Sequence, residues 1–185
     1  MYSAIVLAIL VVIAIYGITL YNGLVKKRQM VGEGWSGIDV QLKRRADLIP
    51  NLLETVKGYM GHERETLERV TELRAQAQAA GGEHPAERAR IEGALSGALG
   101  RLFALAENYP DLKASQNFVD FQDSLEEIEN QIQLSRRYYN GAVRNLNVAV
   151  EQFPSNLVAS QFKFEKAEYF ELEDTGDRAV PDVSF

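Results

Sequence analysis

Three glycines at residues 32–37, in "GEGWSG", have the G-x-G-x-x-G spacing of a dinucleotide-binding loop. In such a loop a strand comes first, a helix follows, and the glycines let the backbone approach a pyrophosphate. Here an apolar run and a basic patch precede Gly32, and no strand-like segment follows Gly37. We therefore expect no phosphate site. We interpret Gly32, Gly34 and Gly37, with neighbouring Trp35, as a packing or assembly segment that permits a close helix contact, within the chain or with an adjacent subunit.

The sequence motifs of catalytic metal sites are incomplete in this chain, because residues that would act as metal ligands are missing. The sequence has no cysteine, and its two histidines are His62 and His84. A di-metal carboxylate bundle needs Glu-x-x-His on two helices, but Tyr59 and Gly81 occupy the glutamate positions. The pair His62-Glu63 lacks the second histidine of H-E-x-x-H. The sequence predicts no catalytic residue, no metal and no cofactor.

Polar side chains also stand beside the apolar positions of the predicted helices. They are Arg45, Glu63, Glu107, Asn117, Glu129, Arg136 and Asn140. One interpretation is a pocket for a small ligand inside the bundle. The other, which we favour, is a set of ion pairs and hydrogen bonds that fixes the register of the helices, because buried polar groups must be paired. We expect Arg45 to pair with Glu63 or Glu129.

These residues must be positioned by helices, and the first helix is predicted to cross a membrane. Residues 3–20 contain no charge, and 18 residues of helix span about 27 Å, close to the hydrocarbon thickness of a bilayer. Tyr2, Tyr16 and Tyr21 stand near the ends of this run, as interfacial rings do. A cleaved signal peptide would need basic residues before a shorter apolar run and a small-x-small cleavage site after it. Here nothing basic precedes the run and no Ala-x-Ala follows it. We expect an uncleaved, single-pass anchor.

Basic residues follow the apolar run and predict its orientation. Lys26, Lys27 and Arg28 come directly after it, and residues 43–45 are basic as well. The positive-inside rule then places the N-terminus outside and the long C-terminal part in the cytoplasm, at the inner membrane. The same three side chains are candidates for contacts with lipid headgroups, worth about 1 kcal/mol per charge near an anionic surface.

Three apolar runs with steps of three and four residues follow, at 42–77, 91–109 and 118–153. The longest predicts a helix of about 53 Å that ends at Pro154. Pro50 lies inside the first run, where the apolar period continues in phase, so we expect a kink there and not a new helix. Ser155 is expected to begin a short helix that runs to about Tyr169. The predicted fold is all-α: an N-terminal transmembrane helix, then an antiparallel bundle of three long helices and a short C-terminal helix.

The same patterns divide the chain into four parts. Residues 1–23 are the anchor, 24–39 a basic and glycine-rich juxtamembrane helical segment, 40–173 the bundle, and 174–185 an acidic tail. We expect the tail to be mostly disordered, although Val183 and Phe185 could dock. Seven acids and two bases from residue 165 onward supply −5 of the net charge of −6. This acidity argues against nucleic acid as a partner.

Three long blocks resemble the LemA family: "VQLKRRADLIPNLLETVKGYMGHE" (40–63), "ALAENYPDLKASQNF" (104–118) and "RRYYNGAVRNLNVAVEQFP" (136–154). The resemblance implies a membrane-anchored helical bundle, mainly bacterial, with a short extracytoplasmic N-terminus and no established catalytic residues. One branch is linked to organelle membrane formation in magnetotactic bacteria. Some members carry a lipoprotein-type start; this sequence departs from them because it lacks cysteine.

The first functional hypothesis is therefore a non-catalytic, membrane-anchored scaffold. Its partners would be the bilayer, further copies of the chain in a homo-oligomer, and an unknown membrane protein. The candidate contact surface is an aromatic cluster that comprises Phe162, Phe164, Tyr169 and Phe170. The alternative interpretation is that this cluster covers the end of the bundle. The alternative hypothesis is a small-ligand sensor with a polar pocket in the bundle. An enzyme would need a coherent set of reactive residues, which the sequence does not offer.

Overall fold

The computed structural model describes residues 1–82 and 84–171, and these residues form α-helices with no strand. The predicted all-α fold is confirmed. The six α-helices in this part of the chain are α1 (Tyr2–Lys57), α2 (Arg64–Ala79), α3 (Pro85–Ala106), α4 (Pro110–Lys113), α5 (Gln116–Glu151) and α6 (Ser155–Gln161). A 3-10 turn at Ala80–Gly82 follows α2. The predicted tail, 174–185 with Val183 and Phe185, lies outside the described residues.

Helix α1 is one continuous element of 56 residues, from the apolar run through the glycine triplet to Lys57. It passes Pro50 without a break in helical structure. Proline has no N–H, so the carbonyl of Ala46, four residues earlier, loses its helical donor. The Nε of Arg74 on α2 donates to that carbonyl over 2.7 Å. A side chain from a neighbouring helix thus replaces the backbone hydrogen bond that Pro50 removes.

The run at 42–77 is not a single helix, and this part of the prediction was wrong. Helix α1 ends at Lys57 and α2 begins at Arg64. Gly58 and Gly61 lie between them, and glycine is a poor helix former, which favours a break here. Met60 is nevertheless fully buried. The apolar spacing therefore continues across the turn between α1 and α2, because the turn buries the side chain of Met60.

The last short helix also ends earlier than predicted. Helix α6 stops at Gln161, eight residues before Tyr169. Lys163 has a φ of 55°, in the left-handed region, which a helix cannot continue through. After that residue the described chain has no regular secondary structure, and both Phe164 and Phe170 are buried.

The chain groups into two compact units. The first comprises residues 1–37 and 135–169, and the second comprises the described residues among 38–134 together with 170–171. In the first, Leu24, Ala149, Ala159 and Phe164 form a small buried cluster. In the second, α2 packs on α3. A larger core there includes Ile49, Leu52, Val56, Met60, Val70, Leu95, Leu102 and Phe118. The four-part division made from the sequence stays a prediction.

Candidate functional site

A network of buried charges lies in the second unit, centred on Glu92 of α3. Arg45 of α1 and Glu92 are each 2% exposed, and Arg45 Nη2 lies 2.6 Å from Glu92 Oε2. The second oxygen of the same carboxylate, Oε1, accepts from Arg88 Nε over 2.9 Å. Arg88 is 5% exposed. One carboxylate therefore contacts two buried guanidinium groups, which makes Glu92 the centre of this network. Further negative charge comes from Glu129, which pairs with Arg45, and from Asp39, which lies 3.6 Å from Arg88 Nη2.

Further acceptors complete the surroundings of Arg45. Its Nη1 donates to Glu129 Oε2 of α5 over 2.8 Å and to Ser96 Oγ over 2.5 Å. Its Nη2 also donates to the Glu92 carbonyl over 3.2 Å. The Arg45 Nε is buried and has no hydrogen-bond partner among the described residues. Arg45 thus links α1, α3 and α5 of the second unit.

A cavity of about 380 Å³ opens beside this network. Arg45, Ser96 and Glu129 give it a polar wall. Its other lining residues are Leu99, Gly100, Phe103, Gln122, Leu125 and Glu126. A polar wall facing apolar side chains is the usual composition of a small-molecule pocket. The cavity therefore has the chemistry that the sensor hypothesis requires.

The other predicted network residues do not join Arg45. Glu63 is half-buried and accepts from the Tyr109 hydroxyl over 3.2 Å. Glu107 is exposed and forms an ion pair with Lys113. Asn117 is exposed as well. Arg136 and Asn140 are half-buried on the part of α5 that belongs to the first unit. The structure thus brings together Arg45 and Glu129 of the predicted set.

Sequence reasoning missed Arg88, Glu92 and Ser96. The buried positions of α3 include Arg88, Glu92 and Leu95, followed by Leu99, Leu102 and Ala106 in the same alternation of three and four. Arg88 and Glu92 are four residues apart, the spacing of a helical ion pair. The search for apolar residues alone, which gave the run at 91–109, counts neither Arg88 nor Glu92.

The glycine triplet lies on α1 in the first unit, and its three glycines have different surroundings. A Cβ built on Gly34 would lie 3.0 Å from the Cα of Tyr139 on α5. A Cβ on Gly37 would make ordinary contact with Ser135 Oγ at 3.9 Å, and one on Gly32 would meet nothing within 4 Å. The close helix contact in this chain therefore occurs at Gly34.

Tyr139 fixes this contact from the α5 side. Its ring lies 5.5 Å from the Trp35 ring, centroid to centroid, and its hydroxyl donates to the Glu168 carbonyl over 2.8 Å. Burial, with a smaller contribution from the Glu168 charge, raises the pKa of Tyr139 to about 12. Asn147 binds the backbone of Ala167 through both its amide oxygen and its amide nitrogen. The chain after α6 is thereby held along α5.

The apolar start of α1 is long enough to cross a membrane, and none of that window is buried by the rest of the protein. Past it, Lys26 and Arg28 are exposed and Lys27 is half-buried. The Arg28 guanidinium lies 5.2 Å from the centroid of the Phe164 ring, a cation–π contact. Among the residues that the structure describes, no group of three or more His, Cys, Asp or Glu side chains could hold a metal ion.

Comparison with known proteins finds a matching family and several similar proteins. The profile of the LemA family matches residues 34–185. Two magnetosome proteins of Paramagnetospirillum magneticum, MamQ 1 and MamQ 2, are each 25% identical over 205 residues, covering 97% of this chain and 75% of the relative. Protein LemA of Metamycoplasma hominis is 26% identical over 155 residues, covering 83% of this chain and 69% of the relative. With the apolar helix, these similarities indicate a membrane-associated helical protein.

Proposed function

Because the chain belongs to the LemA family, we propose that it is a non-catalytic scaffold that self-associates or recruits partner proteins at the bacterial inner membrane. The observation that carries this proposal is the continuity of α1, in which one helix supplies both the apolar segment and packed residues such as Leu24 and Gly34. A helix that is exposed and apolar at one end and packed at the other tethers a folded body to a bilayer.

Self-association is supported by apolar side chains that the first unit leaves in contact with solvent. On α5, Tyr138 is 46% exposed and Val148 is 50% exposed. At 100° per residue the two lie about 80° apart around the helix axis, on one face. Apolar surface of this kind on a helix beyond the membrane is available for contact with another copy of the chain or with a partner.

Sedimentation velocity of the full chain in detergent tests this proposal. A defined oligomer at micromolar concentration is expected, and Val148→Glu should shift it towards monomer, because a buried carboxylate in the contact has no partner. Val40→Glu is the matched control, since Val40 is 53% exposed on α1. A wild-type protein that stays monomeric throughout would remove self-association and leave only the recruitment of a different protein.

A small-ligand module is the alternative, and the cavity beside Arg45 favours it. The side chains of Arg45, Ser96 and Glu129 line this cavity and would supply the polar contacts to a ligand. A thermal-shift screen of metabolites should then find a compound that raises the melting temperature. Gly100→Leu, which adds a side chain at the cavity wall where a Cβ meets nothing within 4 Å, should abolish that shift. No stabilising compound, or a shift that Gly100→Leu leaves intact, would count against this alternative.

The orientation that we propose has the N-terminus outside and the long C-terminal part that follows the span in the cytoplasm. Its support is the basic cluster formed by Lys26, Lys27 and Arg28, which follows the apolar segment directly. In the folded protein Lys26 and Arg28 are exposed to solvent. A single-pass anchor with this orientation would present the scaffold to cytoplasmic partners.

A further inference from the structure

The α5–α6 connection and α6 form an uncharged apolar surface in the first unit. No charged residue occurs from Gln152 to Phe162, although charges stand directly on either side, at Glu151 and Lys163. Within this stretch Phe153 is 73% exposed, Leu157 is 62% exposed and Phe162 is 58% exposed. We call these three side chains the α6 apolar surface.

This surface lies beside the end of the membrane segment. Val158 and Phe162 share a groove of about 360 Å³ with Ala14, Gly17, Ile18 and Tyr21 of α1. The Phe162 ring lies 4.8 Å from the Tyr21 ring, centroid to centroid, in an edge-to-face arrangement. Residues 14–20 make up about the last 9 Å of the predicted span. Helix α6 therefore lies alongside a part of α1 that is expected to be inside the hydrocarbon.

The two sides of α6 differ in burial: the inner side packs against the protein, and the outer side is exposed and apolar. Ala159 is buried against the cluster of Leu24, Ala149 and Phe164, so the inner side is already occupied. Leu157 points away from that cluster, as its exposure shows. Cations lie at the edge of this region: Arg28 contacts the Phe164 ring, and Lys166 forms an ion pair with Glu151, which directly precedes the uncharged stretch.

We propose that the α6 apolar surface inserts into the membrane beside the anchor, so that the protein holds the bilayer by one spanning helix and one interfacial wedge. The occupant is lipid acyl chain and not a second copy, because the surface is continuous with the exposed membrane segment and because the cations lie next to it. An amphipathic element next to a span adds buried apolar area at the interface without crossing the bilayer.

Spin labels at single cysteines test this insertion. The sequence has no cysteine, so each introduced thiol is the only one in the full chain. Leu157→Cys and Phe162→Cys carry a nitroxide in protein reconstituted into phosphatidylcholine–phosphatidylglycerol vesicles. Collisions with oxygen, which enters lipid, are compared with collisions with a nickel chelate, which stays in water. Val12→Cys in the span is the lipid reference, and Val40→Cys, exposed on α1, is the water reference.

Insertion is supported if the labels at 157 and 162 favour oxygen over nickel, as the label at 12 does, while the label at 40 shows the opposite ratio. Labels at 157 and 162 that follow the label at 40 would overturn the wedge and leave the anchor in place. Immobile labels that collide with neither reagent, with dipolar broadening between copies, would assign the surface to a second copy. A label at 12 that favours nickel would overturn both the wedge and the anchored scaffold.

Discussion

At the scale of single residues, Glu92 controls the stability of the buried charges. Replacing it with glutamine leaves Arg45 and Arg88 buried without the carboxylate that both contact. Breaking a buried ion pair on one side costs about 3–5 kcal/mol of unfolding free energy. Glu129→Gln should cost about 1 kcal/mol, because the Glu129 side chain is 38% exposed and water replaces part of the interaction.

Denaturant unfolding of the detergent-solubilised chain, followed by far-ultraviolet circular dichroism, measures these losses. The matched control is Glu87→Gln, which breaks an exposed pair with Arg90 on the same helix. Exposed pairs contribute about 0–1 kcal/mol, so this variant should stay near the wild type. Equal losses for Glu92→Gln and Glu87→Gln would show that the buried network does not stabilise the fold.

Because of Tyr139, the free energy of unfolding is expected to decrease at alkaline pH. Burial raises its pKa from 10.0 to about 12, so the folded state holds the phenol proton more tightly than the unfolded state does. The resulting stability is fully present below pH 10 and is lost as the pH rises through 12. Tyr139→Phe should lose the hydrogen bond to Glu168, about 1 kcal/mol, and show a weaker decline over this window. A decline as steep as that of the wild type would assign the alkaline loss to other groups.

At the scale of helix pairs, the contact of α1 with α5 depends on Gly34. Gly34→Ala should destabilise the first unit, because the new methyl lies 3.0 Å from the Tyr139 backbone, which cannot rotate away. Gly32→Ala is the matched control two residues earlier, where a Cβ meets nothing within 4 Å. That variant should gain up to about 1 kcal/mol from helix propensity. Melting temperatures that change alike in the two variants would contradict a specific contact at Gly34.

The bond from Arg74 to Ala46 couples α2 to the proline in α1. Arg74→Met leaves the Ala46 carbonyl without its donor and should cost about 1–3 kcal/mol. Pro50→Ala restores the backbone N–H, so Arg74→Met should cost less in that background. A double-mutant cycle of unfolding free energies measures the difference. Strictly additive effects would show that Arg74 does not compensate for Pro50.

The helices, the break after Lys57 and the Arg74 hydrogen bond show how much of the fold the sequence predicts. The helices were predictable because apolar residues recur at three and four positions over long stretches. The break after Lys57 was missed because Met60 kept the apolar period while the backbone turned, although Gly58 and Gly61 favour a break there. The donor from Arg74 was hidden for a different reason: hydrogen bonds between residues far apart in sequence leave no local pattern.

The candidate site follows the same logic. Arg45 and Glu129 were predicted because each stands beside an apolar position, and the structure pairs them over 2.8 Å. Glu92 was missed because charged residues do not count in an apolar period, although it is four residues from Arg88 on the buried face. Glu107 satisfied the same sequence criterion as Arg45 and is exposed. Position beside a seam therefore selects candidates, and only packing decides which of them are buried.

At the scale of the whole molecule, the basic cluster is expected to fix the orientation. Labelling of single introduced cysteines with a membrane-impermeant maleimide tests the orientation, because the sequence has no native cysteine. In intact cells, Tyr2→Cys should be labelled from outside, while Glu126→Cys, exposed on α5, should react only after the inner membrane is permeabilised. The reverse pattern would place the part of the chain after the span outside the cytoplasm and overturn the proposed topology.

The cause of that orientation can be tested in the same cells. Replacing Lys26, Lys27 and Arg28 together by glutamine removes the positive charge next to the span and keeps side chains of similar length. Lys and Arg within about 15–20 residues of a span set its topology, so part of the population should then expose Glu126→Cys to the reagent. Unchanged labelling would show that the cluster does not set the topology and leave residues 43–45 as the remaining basic signal, although the Arg45 side chain is buried in its ion network in the folded protein.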